Sequence, residues 1–127
     1  MALQDCKVGP ALATADIGRA REFYEGKLGL EGEDGPGGAR VYECGGGTGL
    51  FVYPSPEHAG RSTATLAGWE VPDVEALVDE LSANGVTFEQ YDGEQMKTNE
   101  KGIVEFDGMK AAFFRDPDGN THSINGS

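Results

Sequence analysis

Basic side chains are scarce in this chain of 127 residues: 10 Lys and Arg stand against 22 Asp and Glu, a formal charge of −12. Such a surface repels phosphate backbones and anionic lipid, which argues against nucleic-acid and membrane partners. Long apolar runs are missing as well. No stretch approaches the roughly 18 residues a membrane span needs, and Gln4, Asp5 and Lys7 interrupt the place where a signal peptide would carry its apolar core. Cysteine is limited to Cys6 and Cys44, far apart and outside any Cys-x-x-Cys pattern. Two reduced thiols are therefore expected, in a cytoplasmic protein. Histidine is confined to His58 and His122, and no Gly-x-Ser-x-Gly nucleophile motif occurs.

Glycine is plentiful, with 20 residues implying many tight turns. One domain's worth of chain alternates short strands with two helices, an α+β pattern. Val8–Ala15 reads as a strand, and Asp16 sits where an N-cap belongs, ahead of Ile17, Ala20, Tyr24 and Leu28 at helical spacing. Gly26 and Gly29 loosen and end that helix. Arg40–Cys44 and Leu50–Tyr53 read as strands joined by Gly45–Gly49. This glycine run is a hairpin turn rather than a phosphate loop, because it opens a strand and not a helix. Leu66–Val71 is another strand and Asp73 a second N-cap. Val74, Leu77, Val78 and Leu81 form one apolar helix face, closed by Gly85. Val86–Tyr91 alternates as a strand does, Asp92–Gly108 is charged and Gly-rich, and Lys110–Arg115 with Thr121–Ile124 forms a last hairpin.

The turn of that hairpin is Asp116-Pro117-Asp118-Gly119-Asn120. Pro117 presets φ, Gly119 accepts φ > 0, and the Asp and Asn side chains can bond nearby backbone N–H groups. The plan also repeats: Asp16 and Asp73 lie 57 residues apart, Gly29 and Gly85 lie 56 apart, and each pair brackets one helix. The closing turn, the stretch from Ala15 to Tyr24, Leu28-Gly29-Leu30 and the entry Glu70-Val71-Pro72-Asp73-Val74 together resemble the vicinal oxygen chelate superfamily. That group contains glyoxalase I, the bleomycin-resistance proteins and the extradiol dioxygenases. The resemblance implies two βαβββ modules, at about 7–60 and 65–126 of one domain, forming a concave mixed sheet cup.

Metal-bearing members hold a divalent ion with His, Gln or Glu from the first, fourth, fifth and eighth strands. Carried onto this chain, those positions fall at Gly9, within Leu50–Tyr53, at Leu66 and at Ser123. A slip of one residue adds only His122 as a possible ligand, and one imidazole does not make a site. No metal and no other cofactor is expected, which argues against glyoxalase and dioxygenase activity. His58 reads as a surface residue and His122 as a core or rim one.

Strand alternation then assigns faces. Leu66, Gly68 and Glu70 share the ligand-position face, with Ala67, Trp69 and Val71 on the helix side. Phe113, Thr87, Glu89 and Tyr91 face the cup, as do Phe51 and Tyr53 in preference to Leu50 and Val52. Gly9, Ala11, Ala13 and Gly68 leave space, and Asp92–Gly108, with Met96 and Phe106, could serve as an adaptable lid. A small floor with aromatic walls suits a flat, largely apolar ligand. The expected ligand-binding residues are thus Phe51, Tyr53, Leu66, Glu70, Tyr91, Met96, Phe106, Phe113 and Ser123. By resemblance to bleomycin-resistance proteins, the expected function is sequestration of a small molecule such as an antibiotic by a homodimer. The alternative is a metal-free enzyme of isomerase or lyase type using Glu70 or Glu89 as general base.

Overall fold

The computed structural model describes residues 2–127, and the chain divides into two compact units, one ending at Arg61 and the other spanning Ser62–Ser127. Each is a βαβββ unit with its own four-stranded sheet.

In the first unit, strand β1 is Ala11–Thr14, helix α1 is Ile17–Arg21, and β2, β3 and β4 are Gly32–Asp34, Arg40–Glu43 and Gly49–Pro54. The sheet order is β1-β4-β3-β2, with β1 parallel to β4 and the remaining pairs antiparallel. The helix starts where the sequence places it: Asp16 Oδ1 accepts the Arg19 N–H at 3.1 Å, satisfying one of the four free donors of the first turn. It does not simply loosen at Gly26. It widens into a π-helix over Glu22–Lys27 and ends at Gly29, whose φ is 74°. Ala20, Phe23 and Tyr24 are buried, as are Leu12, Tyr42, Leu50 and Val52, which share the helix-facing side of the sheet.

In the second unit, β5 is Thr65–Val71, α2 is Val74–Ala83, and β6, β7 and β8 are Ile103–Phe106, Met109–Arg115 and Thr121–Gly126. The order β5-β8-β7-β6 repeats the first sheet. Asp73 caps α2 by accepting the Ala76 N–H at 3.0 Å. Val74, Val78 and Leu81 are buried, each worth about 1.5–3 kcal/mol relative to exposure. The closing turn is held by one carboxylate. Asp116 Oδ1 accepts the Asp118 and Asn120 N–H groups at 3.0 and 2.9 Å, and Oδ2 accepts the Asn120 side-chain amide at 2.9 Å. Gly119, at φ 93°, supplies the left-handed residue.

Three expectations need correction, and one strand had no expectation. The first strand begins at Ala11 rather than Val8, so Gly9 precedes it. Gly32–Asp34 is a strand, built on the pairs Gly32 with Tyr42 and Asp34 with Arg40. Val86–Tyr91 is not a ladder strand; it touches the sheet through the isolated bridge of Phe88 with Phe114. The ladder partner of β7 is instead Ile103–Phe106, so the expected lid of Asp92–Gly108 is in part an edge strand. The two observations share a cause. β6 takes the β7 edge along Met109–Ala112, leaving only Phe113–Arg115 for the 86–91 segment, which meets it at Phe113 and Phe114.

Candidate functional site

Each sheet packs its helix against one face and leaves the other free of it. Pairing and alternation put Ala11, Ala13, Val41, Glu43, Phe51 and Tyr53 on the open face of the first sheet. Leu50 and Val52 are buried on the other side, while Phe51 and Tyr53 are half-buried with rings stacked at 6.1 Å and an interplanar angle of 26°. Beside them is an open groove of about 490 Å³, lined by Glu31, Gly32, Glu33, Val41, Glu43 and Cys44.

On the second sheet the open face carries Gly68 and Glu70 from β5, and Thr121, Ser123 and Asn125 from β8, while Leu66 stands at the register shift between Thr65 and Ala67. Phe113 and Arg115 come from β7, and Val104 and Phe106 from β6. Leu66 and Glu70 are exposed, Phe113 is half-buried and Ser123 is buried. Gly68 pairs with Ser123 so closely that a Cβ there would come within 2.8 Å of Ser123 Oγ. The ring of Tyr91 meets Phe113 edge-on at 5.9 Å. Its backbone is held by Thr98, whose Oγ1 accepts the Tyr91 N–H at 2.8 Å.

Phe51 and Tyr53 therefore share one open face, and Glu70, Phe106, Phe113 and Ser123 share another, with Tyr91 meeting Phe113; Leu66 is exposed at the irregularity of β5. Phe106 reaches this face as a strand residue, 52% exposed at the hairpin end, and not as part of a lid. Met96 is half-buried in the excursion closed by the bridge of Asp92 with Lys97. Trp69 lies on the helix side, stacked on Phe114 at 6.1 Å.

The positions to which the resemblance carries the metal ligands are Gly9, the Leu50–Tyr53 strand, Leu66 and Ser123. None carries an imidazole, carboxylate or amide, and the β5–β8 ladder shifts register at Leu66. Among the described residues, no group of three or more His, Cys, Asp or Glu is placed to hold a metal ion. The donor set does not fit a divalent cation. His122 is packed against the rings of Trp69 and Phe114 at 5.5 and 5.4 Å, and burial pushes its imidazole down to about 4, against a smaller upward pull from Asp116. His58 is exposed and hydrogen-bonded to Ser55 Oγ at 2.9 Å. Of the two carboxylates considered as bases, Glu70 is exposed, and Glu89 forms an ion pair with Arg115 at 2.7 Å. Sequence reasoning passed over Arg115. Its signal was its parity with Phe113, two residues earlier on the same strand.

Two consecutive βαβββ units with matching sheet orders define the fold of the vicinal oxygen chelate proteins. The chain belongs to the glyoxalase/bleomycin resistance protein/dioxygenase superfamily, whose model matches residues 8–124. Solved structures agree. A glyoxalase/bleomycin resistance protein from Catenulispora acidiphila is 25% identical with a TM-score of 0.67, over 95% of this chain and 97% of that one. The fosfomycin resistance protein FosX of Listeria monocytogenes is 11% identical with a TM-score of 0.68, over 95% and 92%. An integron cassette protein from V. cholerae is 22% identical with a TM-score of 0.60, over 91% and 90%. The last two likenesses show a shared fold alone. Comparison with the curated proteins gives no match.

Proposed function

We propose that this protein binds a flat, largely apolar small molecule, such as an antibiotic, without a metal ion, on the open faces of its sheets. The observation that carries this reading is the pair of aromatic surfaces, Phe51 with Tyr53 and Phe113 with Tyr91, left half-buried on faces that no helix covers. Planar ligands stack on such rings, and the small side chains of Ala11 and Ala13 lie beside Phe51 and Tyr53 on the first sheet. Leu66 and Phe106 add apolar surface, while Glu70 and Ser123 add polar contacts on the second sheet. The metal-ligand positions hold Gly9, Leu66 and Ser123, which supports binding rather than Lewis-acid chemistry. The superfamily includes bleomycin-resistance proteins, and a fosfomycin resistance protein shares the fold. A general-base role for Glu70 or Glu89 finds less support, since one is exposed and the other is ion-paired.

The test is titration of ¹⁵N-labelled protein in EDTA with two neutral planar aromatics, 2-naphthamide and acridine, followed by NMR. Shifts should concentrate at Phe51, Tyr53, Tyr91 and Phe113. Phe113→Ala and Tyr53→Ala should each weaken binding by about 1–3 kcal/mol. Unchanged affinity together with lower thermal stability would make these rings core residues and overturn the reading. So would binding that requires an added divalent ion.

A further inference from the structure

Arg115 is the only cation on the strands of the second sheet's open face. Lys110 falls on the opposite side, with Ala112 and Phe114, because β7 pairs regularly with β8 from Lys110 to Arg115. The guanidinium is 53% exposed, and its Nε meets Glu89 Oε1 at 2.7 Å. Among the described residues its two terminal nitrogens make no hydrogen bond. Glu89 is well placed to hold it, since the Glu89 N–H donates to the Phe113 carbonyl at 2.8 Å and fixes that backbone beside β7. One ion pair through Nε thus orients the group and leaves the two-pronged edge of the fork open.

The aromatic surface adjoins this fork. Phe113 lies two residues back along the same strand face, a spacing of about 7 Å, and the Tyr91 ring meets it at 5.9 Å. Across β8, Ser123 stands opposite Phe113 and Thr121 opposite Arg115. A ring bearing a carboxylate could therefore stack on Phe113 while its two oxygens engage the two terminal nitrogens. That is the geometry in which arginine discriminates carboxylates from neutral groups.

Resting on the proposed binding role, we propose that the ligand class is a planar aromatic carboxylate. Arg115 serves as the carboxylate-binding residue and Glu89 as the positioning residue that orients it. The assignment is specific because Glu70 is acidic and an anion finds no other counter-charge than Arg115 on the strands of this face.

The experiment compares 2-naphthoate, neutral 2-naphthamide and 2-naphthylmethylammonium on the full chain by NMR titration. Naphthoate should bind at least about tenfold more tightly than naphthamide, as expected for a hydrogen-bonded charge pair, and the ammonium more weakly than either. In Arg115→Gln the ratio of naphthoate to naphthamide affinity should collapse toward one, with Arg115→Lys intermediate. In Glu89→Gln the ratio should fall part of the way, an effect a merely structural role would not produce. Equal affinities in the wild-type protein, or preference for the ammonium, would overturn the carboxylate assignment and leave aromatic binding standing. Failure of all three ligands to bind would overturn both.

Discussion

At His122 the imidazole is enclosed by Trp69 and Phe114, and burial holds its pKa at about 4, below the ordinary 6.5. The unfolded chain takes up a proton as pH falls through 6.5, whereas the folded chain stays neutral until about 4. Proton uptake by the unfolded state alone means that stability is lost on acidification across that window, by about 3 kcal/mol in all. Urea unfolding from pH 7 to pH 4 should show this slope, and His122→Phe should flatten it. A parallel slope in the variant would place the effect elsewhere. The position was legible as a core or rim histidine because it shares parity with Ile124. Its aromatic neighbours come from β5 and β7, which no local pattern could supply.

Among the elements, both capped helices and the hairpin closed by Asp116 could be read from local residues, because their hydrogen bonds are local. β2 could not, since Gly-Glu-Asp has little strand propensity and is held by pairing with Arg40–Tyr42. β6 was missed although its signal is present. Asp107-Gly108, with φ of 50° and 79°, is the two-residue turn that links antiparallel strands, and it stands between the paired residues Phe106 and Met109. Val86–Tyr91 shows the reverse case: it alternates as a strand does, but most of the edge it would need is taken by β6. The π-helical segment has its own consequence. It delivers the Glu25 carboxylate to Arg21, Arg40 and Tyr42, at 3.0, 2.9 and 2.9 Å. Burial pushes Glu25 up, but hydrogen bonds from Arg21, Arg40 and Tyr42 outweigh it and hold the carboxyl at about 2, against an ordinary 4.5. Its stabilisation is therefore present above pH 4.5 and lost as pH falls toward 2. With the side chain 26% exposed, solvent screening leaves about 1 kcal/mol. Glu25→Gln should cost that much at pH 7, and the difference from wild type should shrink by pH 3. A constant difference would mean that shape and not charge matters there.

Over the whole molecule, family and fold were legible because strand, Asp-capped helix and terminal Gly recur in order and the closing turn completes the second copy. The open faces were legible in part, since alternation alone separates Phe51 and Tyr53 from Leu50 and Val52. The ion pair of Arg115 with Glu89 was not, because it joins β7 to a segment that only borders the sheet. The proposed binding without a metal ion would separate this chain from the metal-bearing branches of its superfamily. Native mass spectrometry of protein purified without added metal or ligand tests it in one spectrum. The expected result is a dimer mass with no stoichiometric divalent ion, carrying a small organic adduct. A divalent ion bound in stoichiometric amount would contradict the proposal and return the chain to the metalloenzyme branch.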